Sequence, residues 1–155
     1  MLVLALALPA VGFAQDSTER ATLKGIDAVN LQVHCDPVIG EQGLTREEVS
    51  RMVVDKVRAA GLKVAEGGDN LPLLWVCVIS TAKEDAAPDK SHAVLVAVEL
   101  LQAVSLVRDT SINTFTRTWA DEILALYAPA KMKGIKLDVG NILDKFIADW
   151  RAANP

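Results

Sequence analysis

His34-Cys35-Asp36 is where an imidazole, a thiol and a carboxylate follow one another in this chain. These are the residue types from which a cysteine nucleophile with its base, or a metal site, is assembled. The pattern around them argues against both. From Ile26 to Cys35 the residues Val29, Leu31, Val33 and Cys35 alternate with Asn30, Gln32 and His34, which predicts a strand with one buried face. Neighbours on a strand point to opposite faces, so His34 and Cys35 cannot easily act on one atom. The other histidine, His92, has no spacing that brings it alongside. Cys77 is the second cysteine, again on an apolar strand pattern. In an oxidising compartment a Cys35–Cys77 disulfide is open to this pair, provided the Cα atoms lie within about 7 Å; the alternative is two small buried core residues.

The acids Glu84 and Asp85, and Asp121 and Glu122, are adjacent in sequence. Glycoside chemistry needs carboxylates several ångströms apart across a cleft, so these read as solvated charge. Lys131, Lys133 and Lys136 fall short of the clusters that hold anionic lipid, and membrane-surface contact is not expected. No phosphate-binding loop, dinucleotide glycine fingerprint, zinc-ligand spacing or GxSxG elbow is present. The expectation is no cofactor, no metal, and a non-catalytic protein in preference to an enzyme.

Composition narrows the partners. With 155 residues, 51% of them hydrophobic, and a formal net charge of −4, the chain holds one domain with a self-sufficient core. It lacks the basic surface that grips a nucleic-acid backbone. Residues 1–14, MLVLALALPAVGFA, carry no charge before the polar QDSTER, as in a secretory signal peptide. A helix of that length reaches only about 21 Å, short of a membrane core, so no transmembrane span is expected. The chain divides into a signal peptide (1–14), a flexible leader (15–25) and a single domain (26–155). The localisation expected is periplasmic or secreted.

The elements that position these residues follow in order. Asp36-Pro37 ends the first strand, and the run to Gly43 reads as loop. Thr45-Arg46-Glu47-Glu48 is a capping box. Val49, Met52, Val53, Val57 and Ala60 then recur at helical spacing up to Gly61. Leu62-Lys63-Val64 is a short strand, and Leu71 to Thr81 a nearly continuous apolar one, the mark of a central position. His92 to Arg108 alternates Val94, Val96, Val98 and Leu100 with Ala97, Glu99 and Ala103, the period of a long strand. A four-residue turn pairs it with the following strand, setting Leu106 against Phe115 and Gln102 against Trp119, with Arg117 on the Val104 face. Residues 120–127 fit a strand or a helical turn. The closing helix spans 137–153. Asp138 is its N-cap, Val139, Ile142, Leu143, Phe146, Ile147 and Trp150 lie on the buried face, and Asp144, Lys145, Asp149 and Arg151 lie away from it.

The predicted fold is an α+β two-layer sandwich, a mixed four- to five-stranded sheet with two main helices on one face, in the order β-α-β-β-β-β-α. The uncovered face then carries Leu95, Leu101 and Val107 among polar residues. Gln102, Arg117 and Trp119 form a polar group among valines that must find partners.

This pattern resembles a group of small exported bacterial proteins of unknown function. The resemblance rests on the signal peptide, the capped helix TREEVSRMVVDKVRAAGLKV, the strand LPLLWVCVIST, the long strand with Gln102, the Thr118-Trp119 pair and the closing DKFIADWRAANP. In outline it is also similar to the N-terminal domain of the Tol translocation protein and to envelope-assembly lipoproteins, although the lipobox cysteine of the latter is absent. The resemblance brings no catalytic residues. The export signal, the absent catalytic motifs and the Leu95, Leu101 and Val107 stripe point instead to an exported interaction or assembly module of the cell envelope that binds a protein partner, or its own copy, with Leu95, Leu101, Val107, Gln102, Arg117 and Trp119 as its candidate binding residues. Two further readings are a small-ligand or lipid binder, with its ligand between sheet and closing helix, and a hydrolase using Cys35 or the acids.

Overall fold

A computed structural model describes residues 17–41, 43–68, 70–80, 91–128 and 131–155; the expected signal segment and residues 81–90, with Glu84 and Asp85, lie outside them. Five strands, β1 (Ala28–Cys35), β2 (Lys63–Ala65), β3 (Leu73–Ser80), β4 (His92–Leu106) and β5 (Asp109–Tyr127), form one sheet in the order β2-β1-β3-β4-β5. β1 is parallel to β2 and β3, while β4 is antiparallel to β3 and β5. The helices are α1 (Ser17–Ala21), α2 (Pro37–Glu41), α3 (Arg46–Ala59) and α4 (Gly134–Ala153). This is the expected α+β sheet with its two main helices. Among the described residues, no helix is long and apolar enough to cross a membrane.

The capping box forms as read. The Thr45 hydroxyl accepts from the Glu48 amide at 3.2 Å, and the Glu48 carboxylate accepts from the Thr45 amide at 3.0 Å. Val49, Val53 and Val57 then bury one stripe of α3 against the sheet, and Gly61 leaves the helix at φ 100°, a conformation that glycine adopts without strain. α3 is thereby the crossover between the parallel strands β1 and β2. β3 lies in the middle of the sheet, as its continuous apolar run required, and buries Cys77 as well as Leu74, Val76 and Val78.

Several local readings are corrected. The run after Asp36 is not all loop. Pro37 opens α2, Asp36 Oδ1 accepts from the Val38 amide at 3.1 Å, and Ile39 is fully buried. Proline in a first helical position loses no hydrogen bond. Nor is 17–25 a loose leader, since α1 is helical and Leu23 is fully buried. Residues 120–127 continue β5. α4 starts at Gly134, with no side-chain cap at Lys133; Asp138 is not its N-cap, but accepts a hydrogen bond from the Tyr127 hydroxyl.

The largest correction in the helix layer is Asp149. Expected on the outer face, it is only 7% exposed. Its Oδ2 accepts from Trp119 Nε1 at 3.1 Å and its Oδ1 from Arg20 at 2.9 Å. Trp119, fully buried, meets Phe146 edge to face with centroids 5.1 Å apart. The same end of α4 holds the chain that precedes β1. Trp150 Nε1 donates to the Ile26 carbonyl at 2.8 Å, and Asn154 bonds both the Leu23 carbonyl and the Gly25 amide.

The β4–β5 register also differs. The turn is Val107-Arg108, and Ser105 pairs with Asn113, Gln102 with Thr116, Leu101 with Arg117 and Leu100 with Trp119, with a bulge between Leu100 and Leu101. A bulge adds one residue to one strand and exchanges the faces beyond it. Thr114 and Thr116 therefore share a face with Val104 and Gln102. Phe115 and Arg117 take the other face.

These contacts set two expected outcomes in urea unfolding. Thr45→Ala lowers stability by about 1 kcal/mol through loss of the cap. Asp149→Ala costs about 2–4 kcal/mol because it strands a buried indole N–H and a guanidinium, whereas Arg20→Ala, at a half-exposed partner, costs less than about 1 kcal/mol. A reversed order would show that the carboxylate does not organise this corner.

Candidate functional site

The side chains of one sheet face enter the core with α3 and α4: Val29 and Val33 from β1, Leu74, Val76 and Val78 from β3, Val94, Val96, Val98 and Leu100 from β4, and Trp119 and Tyr127 from β5. Period-two geometry puts the alternate residues on the other face. Among the described residues no helix contributes a buried side chain there. In the observed register this face carries Asn30, Gln32 and His34, then Leu73, Trp75, Cys77 and Ile79, then Leu95, Ala97, Glu99 and Leu101, then Phe115, Arg117, Glu122, Leu124 and Leu126.

Its centre is apolar. Trp75 pairs with Glu99, Ile79 with Leu95 and Leu73 with Leu101, all partly exposed. The small Cys77 and Ala97 between them are 7% and 5% exposed. Two polar atoms on this face are buried without a hydrogen-bond partner, Trp75 Nε1 and Asn30 Oδ1, one a donor and one an acceptor. Leaving such groups unpaired costs about 1–3 kcal/mol each. Towards β5 the face becomes charged, and Arg117 donates to Glu99 at 3.0 Å.

The six residues singled out from the sequence divide three ways. Leu95, Leu101 and Arg117 lie on the uncovered face, where Arg117 is paired with the Glu99 carboxylate. Val107 is 99% exposed, but in the β4–β5 turn. Gln102 and Trp119 face inward: Gln102 Nε2 donates to the Thr118 hydroxyl at 2.7 Å and to the Thr22 carbonyl at 3.1 Å, and Trp119 serves Asp149. The polar trio is therefore not brought together. Sequence reading missed Trp75 as a member of the surface. Its parity within β3 was the available signal, hidden because both parities of that strand are apolar.

Other candidate chemistry is dispersed. Cys35 and Cys77 are both free. Cys35 packs on the core side and Cys77 lies on the other face, so the disulfide does not form. Burial, and next the neighbouring Asp36 carboxylate, push the Cys35 thiol up to about 11, and it lies 3.4 Å from the Leu44 carbonyl as a donor. That environment suppresses a nucleophile. Asp121 pairs with Lys145 at 2.9 Å, and Glu122 faces outward. Ser80 Oγ lies 3.3 Å from His92 Nδ1, but no carboxylate among the described residues is hydrogen-bonded to that ring. No three of His, Cys, Asp and Glu among the described residues are placed to hold a metal ion. The space between sheet and α4 proposed for a ligand is filled there by Ile142, Leu143 and Phe146, at most 1% exposed. The grooves beside α3 and α4, such as that lined by Met52, Lys56, Lys136 and Leu137, lie outside this packing.

No protein-family model matches the chain, and no curated protein matches it. Among solved structures it is similar to a PelC dodecamer from Paraburkholderia phytofirmans (14% identity, 81% of this chain and 86% of that one, TM-score 0.42). A minor lipoprotein from Acinetobacter baumannii matches at 9% identity over 80% of this chain and 94% of that one, with TM-score 0.35. The rare lipoprotein B from Shewanella oneidensis matches at 15% identity over 81% and 92%, with TM-score 0.28.

The thiol environment predicts an alkaline loss of stability. With its folded-state pKa raised from 9.0 to about 11, Cys35 favours the fold while protonated. Its contribution is complete below pH 9 and disappears as pH rises towards about 11. Tyr127, raised by burial and then by its hydrogen bond to Asp138, acts in the same direction at higher pH. Chemical unfolding from pH 8 to 11 should show a decline that Cys35→Ala makes shallower; an unchanged slope would contradict the assignment.

Proposed function

We propose that this protein is an exported, non-catalytic interaction module of the bacterial cell envelope that binds a protein partner through the uncovered face of its sheet. The reading is carried by one observation: the face that no described helix covers is apolar at Leu73, Trp75, Ile79, Leu95 and Leu101, and holds an unpaired buried donor and acceptor. A polypeptide laid across it supplies apolar side chains together with the carbonyl and amide groups that those atoms lack. Export is supported by the signal-like 1–14 segment. After its removal the mature chain would start just before α1.

The test places a photoreactive residue at position 95 or 101 in the source cell, with Arg58 on α3, which is exposed, as the control position. A discrete cross-linked species is expected from 95 and 101 and not from 58. Leu101→Glu should abolish the cross-link formed from 95, while changing the stability of the isolated protein by less than about 1 kcal/mol. Equal cross-linking from all three positions, or none from 95 and 101, would overturn the reading.

A further inference from the structure

The exposed large apolar side chains of the described residues gather on one element. Ile112, Phe115, Leu124 and Leu126, 44–76% exposed, lie on β5, and Val107 lies in the turn leading into it; Leu137 is the exception. β5 is 19 residues long and is the last strand of the sheet, and among the described residues no strand pairs with its outer edge. A long apolar edge is a template for another strand.

The sequence of this edge is complementary to itself. Before the bulge its uncovered-face residues are Asn113, Phe115 and Arg117; after it they are Glu122, Leu124 and Leu126. The inserted residue shifts the parity, so an antiparallel copy can set one group against the other only where odd positions meet even ones. In the register that places Arg117 against Glu122 of the second copy, Phe115 meets Leu124 and Asn113 meets Leu126, and symmetry repeats each pair. A shift of two residues one way sets Phe115 against Glu122. A shift the other way sets Arg117 against Leu124. One register satisfies charge and apolar contact together.

We propose that a second copy of this chain docks on β5, edge to edge and antiparallel, about a two-fold axis between residues 119 and 120, so that the two sheets become continuous. The ladder forms in two halves, each joining 112–117 of one copy to 122–127 of the other. Residues 118–121 take no part in the ladder, since the Thr118 carbonyl already accepts from the Thr22 hydroxyl at 3.2 Å and Ala120 already has a partner. The Glu122 amide, held at 3.1 Å by Asp121 Oδ1, exchanges that oxygen for a carbonyl of the second copy. Arg117 keeps Glu99 as its intrachain partner and, with its side chain 54% exposed, has donors left for Glu122 of the second copy.

This edge is a different surface from the central face around Trp75 and Leu101, and depends on the proposed function only in taking the protein to be one that binds proteins. Light scattering and sedimentation of the wild-type chain from about 1 to 200 µM should show a dimer whose share grows with concentration. Arg117→Glu alone and Glu122→Arg alone should each weaken it by about tenfold or more, because like charges then face one another twice. An equimolar mixture of these two variants should recover the dimer, since each presents the charge that the other lacks. Leu124→Lys, which disturbs no intrachain ion pair, should also weaken it, with thermal melts confirming that every variant is folded. A strict monomer, single variants that associate as well as wild type, or a mixture no tighter than its components would overturn the pairing. Cross-linking from 95 and 101 reads the central face separately, so either surface can fail alone.

Discussion

Asp149 accepts hydrogen bonds from a fully buried indole and from Arg20, and the placement of α4 over the sheet follows from it. A carboxylate taken out of water is tolerable only when paired and hydrogen-bonded. The bond to Trp119 therefore fixes the rotation of α4, which brings Ile142, Leu143 and Phe146 onto the sheet. The bond to Arg20 extends the same constraint to the chain preceding β1. Three side chains near the end of α4, Asp149, Trp150 and Asn154, hold residues 20–26. The first and last parts of the described chain are thus packed as one unit, although 129 residues separate Arg20 from Asp149.

Much of this architecture was legible. The Thr45 box, the valine stripe of α3, the both-sided apolar pattern of β3 and the apolar face of α4 each reflect a local rule that tertiary contacts leave intact. What escaped was non-local. Asp149 lies on a helix arc that composition alone assigns to solvent, and only the position of Trp119 across the sheet explains its burial. The capping role of Asp138 failed because α4 gains a further turn, starting at Gly134, with Ile135 buried in the core.

The strand faces show the same division. Alternation runs through β4 from Val94 to Val104, because the residue inserted at the bulge lies in β5. That bulge is not written in hydrophobicity, because Thr114, Thr116, Phe115 and Arg117 are all exposed and no burial requirement fixes their parity. The Leu95 and Leu101 stripe of the uncovered face was visible for that reason, since it lies within the well-patterned part of β4. Trp75 was hidden by the apolar run of a central strand. Gln102, a polar side chain among valines, needs partners, and finds them in Thr22 and Thr118, one from the segment before β1 and one from the bulged strand.

β4 and β5 continue past the point where β3 begins, at the Leu73–Leu101 pair, so residues 102–116 form a ribbon with no third strand beside them among the described residues. Two-stranded ribbons are only marginally stable on their own, and nearly every side chain from Val107 to Arg117 is exposed. The sheet therefore contains two tiers of amide protection. Backbone amides in the shared part need a larger opening of the sheet to meet solvent, whereas those of the ribbon reach it through local opening that leaves the core closed. The outer arm of this protein can separate, re-pair or lengthen over evolutionary time without affecting the packing around Trp119 and Phe146.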